Sequence, residues 1–243
     1  MKTFISLSAL FLSLTLTAQT NPATWYLNDA SGNGIQSPTN TASGDVSVAM
    51  GHYSTASGTY STAMGLGTTA SGSGSTAMGD HTLAGGPVST AMGYETTASG
   101  TVSTAMGYNS TASGPVSTAM GLGTTASGNF STAMGYETTA SGNFSTAMGG
   151  YTTASDYASV AIGQYNNSLS SVTTNGSATA YDTDNTALVI GNGVDGDNRS
   201  DALVVKFNGD AALAGSMTAT SFIGDGSQLT NLPSSGADSP FSY

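Results

Sequence analysis

The 243-residue chain contains no cysteine, so it cannot be stabilised by disulfides. Small exported domains often depend on disulfides, and this chain must instead gain stability from hydrogen-bond ladders and association. Only 7% of its residues are charged, with 3 Lys and Arg against 14 Asp and Glu and a net charge of −11. No Lys or Arg lies between Thr41 and Tyr165. This argues against nucleic acid or an anionic membrane as a partner of that region.

Long hydrophobic runs are also missing, apart from one at the N-terminus. Lys2 is followed by an apolar stretch from Phe4 to Leu16, and the small residue Ala18 precedes Gln19. This order is typical of a secretory signal peptide, here assigned to residues 1–18. The stretch is too short to span a bilayer. We therefore expect the mature chain to be exported, with no transmembrane anchor in this chain.

The sequence does contain a fixed period of fourteen residues, marked by a Met-Gly pair in which Ile once replaces Met. A fixed period predicts stacked units, each stabilised by its neighbours. Disorder is the first alternative for a chain rich in small polar residues, but it does not explain such regular spacing. The first residues of these pairs are Met50, Met64, Met78, Met92, Met106, Met120, Met134, Met148 and Ile162.

One repeat, residues 61–74, divides into the sevens S-T-A-M-G-x-x and T-T-A-S-G-x-x. Each seven predicts five strand residues with alternating faces, ending in a Gly that supplies the corner conformation, then two turn residues. A Gly every seven residues argues against helix. The sequence predicts an all-β fold: a parallel β-roll or solenoid of 14-residue coils, followed by a small β-rich C-terminal part.

Residue size predicts which face of each strand is inside. Ser61, Ala63, Thr68 and Ala70 share one parity and are small enough for a narrow interior, which leaves Met64 outside. The Met positions then form an outer stripe roughly 40 Å long, from eight steps of ~4.8 Å. Burying each Met would contribute about 1.5–3 kcal/mol, and exposed apolar stripes usually mark interfaces. We predict a cyclic homo-oligomer through this stripe; the opposite parity, with Met inside, stays open.

The rest of the chain divides by composition. Residues 19–40, with the only tryptophan, Trp25, are expected to cap the array at 41–167. Residues 168–185 read as a Ser/Thr/Asn-rich connector. Residues 186–233 contain two predicted strands, 187–190 and 202–205, and residues 234–243 read as a flexible tail.

The repeats resemble the YadA-like head of trimeric autotransporter adhesins, whose pattern is S-x-A-x-G-x-x-[ST]-x-A-x-G-x-x. Residues 131–144 fit it throughout, and Ser159–Gly163 is the closest single match. The resemblance implies a left-handed parallel β-roll that forms a homotrimer on a bacterial surface and mediates adhesion. Residues 222–233 resemble a segment of phage tail-fibre-like bacterial proteins. The coiled-coil heptads that normally follow such heads are not visible, so we expect a short relative or a segment of a longer fibre.

Signals for chemistry are weak. The Gly191–Gly196 stretch matches the dinucleotide pattern G-x-G-x-x-G, but turn-like residues follow it, so we interpret it as a connection between strands. The carboxylates of Asp195, Asp197 and Asp201 alternate in this region, and whether they bind calcium stays open. Glu95 and Glu137 lie three coils apart, ~14 Å, too far for paired glycosidase carboxylates. We predict no enzyme activity, cofactor or metal site.

Aromatic residues at the corners are the candidate ligand-facing positions. Tyr94, Tyr108 and Tyr136 share one corner, and Phe130 and Phe144 share the other. They could instead pack between coils or subunits. The sequence thus predicts a non-enzymatic, secreted or surface-displayed trimeric adhesin-like protein that binds an extracellular matrix protein or a surface glycan.

Two other functions are compatible with the repeats. One is a structural spacer in a larger tail-fibre-like surface protein. The other is ice binding by the outward Thr ladder that includes Thr62 and Thr76, against which the adjacent Met row argues.

Overall fold

The computed structural model describes residues 26–27, 35–36, 39–167 and 176–221, and these residues form two β-sheets without any helix. Strands are numbered in chain order. The first sheet contains β1 (Tyr26–Leu27), β2 (Ile35–Gln36), β4 (Val48–His52), β6 (Thr62–Leu66), β8 (Thr76–Asp80), β10 (Thr90–Tyr94), β12 (Thr104–Tyr108), β14 (Thr118–Leu122), β16 (Thr132–Tyr136), β18 (Thr146–Gly150), β20 (Val160–Gln164), β21 (Thr186–Asn192), β22 (Asp201–Lys206) and β23 (Ala211–Leu213). The second contains β3 (Thr41–Ala42), β5 (Thr55–Ala56), β7 (Thr69–Ala70), β9 (Leu83–Ala84), β11 (Thr97–Ala98), β13 (Thr111–Ala112), β15 (Thr125–Ala126), β17 (Thr139–Ala140) and β19 (Thr153–Ala154).

Each coil contributes one strand to each sheet, and equivalent strands stack in parallel without a shift. Met92, for example, lies opposite Met78 on one side and Met106 on the other. The predicted all-β parallel solenoid of 14-residue coils is confirmed. The two strands of a coil are unequal, however, since the first has five residues and the second only two. The prediction of two five-residue strands was wrong for the second, where the chain turns earlier.

The interior of the roll is lined by small side chains. The Ala residues of both strands, such as Ala105 and Ala112, are completely buried, as are the inward Ser and Thr residues. Met106 and its equivalents lie on the outer face of the first sheet and stay partly exposed. This arrangement is the one that the size argument favours, because the space between the sheets admits only small side chains.

The corners meet the sequence-based expectation only in part. The Gly that ends each first seven has a positive φ, as in Gly107 at 111°, but the Gly of each second seven does not. At both corners the second residue after the Gly is also left-handed and is mostly not a Gly, as in Val102 at φ 57° and Val116 at φ 56°. This conformation costs a non-Gly residue roughly 1–2 kcal/mol. The strain is offset by the ladder, because the Val102 N–H donates to the Pro87 carbonyl of the preceding coil at 2.8 Å.

An inward column of Ser and Thr, one immediately before each second strand, ends in Asn at both ends of the array. The Asn40 amide donates to the Gly51 carbonyl at 2.9 Å and accepts from the Ser54 N–H at 2.8 Å. At the other end, the Asn166 amide accepts from the Thr153 N–H at 2.7 Å and donates to the Thr153 carbonyl at 3.0 Å. At the C-terminal end the Asn166 side chain thus takes the place of backbone in a further coil, since inside the array the equivalent Thr139 N–H donates to the Thr152 carbonyl.

Removing the Asn166 cap is expected to destabilise the roll. Asn166→Ala leaves the backbone groups of Thr153 without these partners, at a cost of about 1–3 kcal/mol. The measurement is chemical unfolding followed by circular dichroism. Asn143→Ala is the control, since its side chain accepts one bond at an exposed site, from the Asn129 N–H. Equal losses in both variants would contradict the capping role.

Beyond the array, the first sheet continues. The β21 strand pairs in parallel with β20, with Ile162 opposite Ile190 and Gly163 opposite Gly191. Antiparallel pairing then adds β22 and β23. Both predicted C-terminal strands are therefore present, but they extend the sheet of the array. The proposed signal peptide, Trp25, residues 168–175 and residues 222–243 lie outside the described residues.

Candidate interaction surfaces

The outer face of the first sheet carries parallel columns of side chains. Thr or Val forms one column, as in Thr104, and Met or Ile forms the next, as in Met106. Every Met predicted at the interface, from Met50 to Met148, and also Ile162, lies in this second column. Met148 is 41% exposed, and no charged residue occurs in either column from β4 to β20. The face is therefore an uncharged, partly apolar strip.

This strip continues past the last repeat. The pairing of β20 to β23 aligns Ile162 with Ile190, Leu203 and Leu213, and all of the last three are at least partly exposed. Sequence reasoning treated these strands as a separate part and missed the continuity. The signal was present, because Gly163 and Gly191 are 28 residues apart, twice the repeat length.

The corner aromatics pack against each other and still face solvent. Tyr94 and Tyr108 stack with ring centroids 4.9 Å apart, and Phe130 and Phe144 do the same. Tyr136 instead meets Tyr151 edge-on. The five predicted positions are 38–52% exposed. Packing between coils and facing a ligand, the two alternatives read from the sequence, are thus compatible in this structure.

Acidic neighbours give the Tyr corner its electrostatic character. A hydrogen bond with the Glu95 carboxylate, reinforced by its charge, raises the pKa of the Tyr94 phenol. Hydrogen bonding to Tyr136 likewise raises the pKa of Tyr151 above its usual value. The phenols are therefore neutral at physiological pH, available for stacking and hydrogen bonding. His81 contacts Asp80 at the same corner, and His52, the other histidine of the chain, lies two coils away.

A column of exposed Val residues was missed by the sequence reasoning. Val46, Val88, Val102 and Val116 occupy the same corner position as Phe130 and are 43–60% exposed. The available signal was an apolar or aromatic residue two positions after the Gly that follows most second strands, at the fourteen-residue period, with Gly74 as an exception. This corner therefore presents an apolar ridge along the array.

The loop between β21 and β22 covers the end of the array. Arg199, the only arginine, donates to the carbonyls of Tyr151 and Asn166 at 3.0 and 3.2 Å and lies 5.7 Å from the Tyr165 ring centroid. No helix follows Gly191–Gly196, so this stretch connects two antiparallel strands. Its role in the structure is to close the last coil.

Two of the three aspartates that are candidate calcium ligands have other partners for their carboxylates. The Asp195 carboxylate accepts from the Asp197 and Asn198 N–H groups at 3.0 and 2.8 Å, and bonds from Asn198 lower its pKa. Asp201 accepts from the Asn167 N–H at 2.9 Å. No group of three His, Cys, Asp or Glu that could hold a metal ion occurs in the described ranges. The Asp195 carboxylate organises its turn, and the Asp201 carboxylate connects β22 to the end of the array.

Asp156 takes the position that Gly holds in every preceding coil. It is 2% exposed, and its carboxylate accepts from the Thr186 N–H at 2.8 Å. Burial raises the pKa of Asp156, against the opposing effects of the Thr186 hydrogen bonds and the Lys206 charge. A side chain fits here because Ser177 and Thr186, instead of a further coil, follow next to residues 156–157.

The Asp156 carboxylate is expected to make stability depend on pH. Its folded-state pKa lies above the usual 3.8, so the folded protein binds this proton more tightly than the unfolded chain. The stabilisation is complete below the unfolded value and is lost as pH rises through the folded value. Chemical unfolding of the native protein and of Asp156→Asn, across this range, measures the effect. As pH rises, the native protein should lose stability relative to Asp156→Asn. A difference in unfolding free energy that does not change with pH would contradict the raised pKa of Asp156.

Comparison with protein families identifies the repeats. The model of the YadA head domain repeat matches residues 42–68, 56–82, 84–110, 98–124, 112–138 and 140–166, which together cover just over half of the chain. The chain belongs to the YadA head family. YadA heads are associated with trimeric autotransporter adhesins. A search of curated proteins found no match to this YadA head protein. The described residues contain no helix that is long and apolar enough to cross a membrane.

Proposed function

We propose that this protein is a non-enzymatic, surface-displayed adhesin-like trimer in which the Met columns of three chains face a common axis. The observation that carries the proposal is the uncharged, partly exposed Met column, which runs without interruption along the array. A stripe of this length left in water would be an unusually large apolar patch. The association of the family with trimeric adhesins supports three as the number of chains.

In such a trimer, the second sheet and the corners remain available to other molecules. The stacked pairs Tyr94–Tyr108 and Phe130–Phe144 present flat, rigid rings that lose little conformational entropy on binding. Rings of this kind suit the apolar faces of sugars and exposed side chains of proteins. The proposed ligand is therefore a surface glycan or an extracellular matrix protein, with secretion through the predicted signal peptide.

The oligomeric state is the first test. Light scattering coupled to size exclusion should give a mass three times the chain mass. A stable monomer would overturn the proposal, because the Met column would then lie in water without a partner.

Ligand binding is tested with glycan and matrix-protein arrays, followed by the double variant Tyr94→Ser/Tyr108→Ser. Loss of the stacked pair should weaken binding of the array hit by about tenfold or more. The control is Tyr53→Ser, another exposed corner tyrosine, which has no tyrosine stacked on it. Equal weakening in both variants, or in neither, would remove the stacked pair from the binding site.

The alternative function is a spacer in a longer fibre. It is favoured by the unbroken parallel register of the coils, since a rod that only separates other segments needs no variation. Trimers that bind nothing on either array would favour this function over adhesion.

A further inference from the structure

The repeats alone cannot define how three chains align along the trimer axis. From β6 to β18, every coil presents Thr and Met at equivalent places on the outer face. A neighbouring chain displaced by one coil, ~4.8 Å, would meet the same side chains and lose the contacts of one coil only. Something outside these coils must therefore distinguish the correct alignment from displaced ones.

The outer face changes character at its C-terminal end. Along the Thr column, Thr146 is followed by Val160, Leu188 and Val205; along the Met column, Met148 is followed by Ile162, Ile190 and Leu203. The intervening Val189 is completely buried, and Val204, its partner on β22, packs against the core. Because faces alternate along a strand, the flanking residues share the outer face with the Met column.

We infer that this end is a registration patch, which docks on the same patch of a second and a third copy of the chain and fixes their axial alignment. This terminal patch consists of Val160, Ile162, Leu188, Ile190, Leu203 and Val205, all partly exposed. The inference rests on the trimer proposed above.

Shape makes the terminal patch specific. Its side chains are branched and apolar in both columns, whereas each repeat offers one hydroxyl-bearing Thr and one unbranched Met. The β21–β22 pairing is antiparallel and carries irregularities between Thr186 and Leu188 and between Ile190 and Gly191. In a neighbouring chain displaced by one coil, a repeat with Thr and Met would face the terminal patch. Its surface shape differs from that of the patch, so the branched side chains would be poorly packed.

The opposite end offers less to distinguish alignments. Val48 replaces Thr in the first five-residue strand, while Met50 keeps the repeat residue. The β1 and β2 strands pair with each other in antiparallel fashion, and β2 also pairs in parallel with β4, where Ile35 lies opposite Val48. The β1–β2 pair is therefore the competing registration element. The experiment must therefore determine which end of the molecule fixes the axial alignment of the three chains.

Chains of unequal length answer this question without disturbing either end. One chain carries a duplication of residues 98–111, which adds one whole coil, and it is co-expressed with the natural chain. Both carry a single cysteine on the Met column, either Met64→Cys before the duplication or Met134→Cys after it. The natural chain has no cysteine, so each reporter is the only thiol.

In mixed trimers, cross-links between long and short chains should form at Met134→Cys in excess over Met64→Cys by about tenfold or more. Cross-linking mainly at Met64→Cys, or equally at both sites, would overturn the inference. Failure of the two lengths to mix, with intact trimers of each, would also overturn it, because both ends would then be needed.

A second variant tests the patch itself. Leu203→Asn/Val205→Thr should abolish the preference for Met134→Cys, whereas Val102→Asn/Val116→Thr, a similar change at an exposed corner, should preserve it. An unchanged preference in the first variant would contradict the assignment. Failure of the trimer proposal looks different: the unmodified chain would be monomeric, and neither cysteine would cross-link chains of equal length.

Discussion

Gly107→Ala is expected to unfold the array or to cost more than about 4 kcal/mol, well above the effect of most single substitutions. A Cβ at this position would lie 2.1 Å from the carbonyl oxygen of Gly121 in the next coil. The residue also has a φ of 111°, which only Gly adopts without strain of about 1–3 kcal/mol. Relieving the clash requires the coils to separate, which breaks ladder hydrogen bonds. Thermal unfolding by circular dichroism measures the loss.

Gly85→Ser is the matched control. Gly85 also lies in the array, but the nearest atom to its added Cβ is the Ser71 Oγ at 3.8 Å, an ordinary contact. Equivalent positions in neighbouring coils carry Ser71 and Ser99. Its unfolding temperature should therefore stay close to that of the unmodified protein. If Gly107→Ala proved as stable as Gly85→Ser, this would contradict the claim that the coils approach too closely at Gly107 to admit a Cβ.

The same close approach explains which part of the corner could be predicted from the sequence. The period located Gly107 correctly as indispensable, and its φ of 111° fits the predicted corner role, but the period did not reveal how closely the coils approach at this residue. A Cβ on Gly107 would lie 2.1 Å from the Gly121 carbonyl oxygen, which leaves no room for any side chain, whereas the left-handed corner costs Val102 roughly 1–2 kcal/mol. Glycine is used at Gly107, where both the close approach and the dihedral exclude a side chain, while Val102 tolerates its left-handed dihedral because space is available there.

The coil geometry was predictable because the same residue types recur at equivalent positions in many coils of one chain. An inward Ala recurs at the same two places in every coil, so size and parity leave little choice. The short second strand was not predictable, since T-A-S alternates as regularly as T-A-M. The extension through β21 was missed because the connector hides the period, and only the doubled spacing between Gly163 and Gly191 preserves it.

Surface roles were harder to predict, because the period does not say what covers an exposed residue. The Met column and the Val corner both repeat every fourteen residues and both face outward. They differ in position: the Met column is central on a broad sheet face, while Val102 and Val116 form an edge. A broad face suits association with an identical face, and this geometry comes from the sheet pairing rather than from residue types.

The triple variant Met92→Glu/Met106→Glu/Met120→Glu is expected to be monomeric and to lose much of its β-sheet signal. Removing three Met side chains from a trimer contact forfeits roughly 5–9 kcal/mol per chain. Nine carboxylates would also converge on the axis, in a chain whose net charge is already −11. Because the Ala-lined interior contributes little apolar burial, the separated chain should be marginally folded. Light scattering and circular dichroism read the two effects independently.

The triple variant Thr97→Glu/Thr111→Glu/Thr125→Glu is the control that distinguishes the effect of the Met face from the effect of added negative charge. It adds the same three carboxylates to the same part of the array, but on the second sheet. These residues lie in β11, β13 and β15, whose inward neighbours are the buried Ala98, Ala112 and Ala126, so they face outward. This protein should remain a trimer with an unchanged spectrum. A Met variant that stays trimeric, or a Thr variant that dissociates equally, would place the association elsewhere, because only the Met face converts these charges into mutual repulsion between chains.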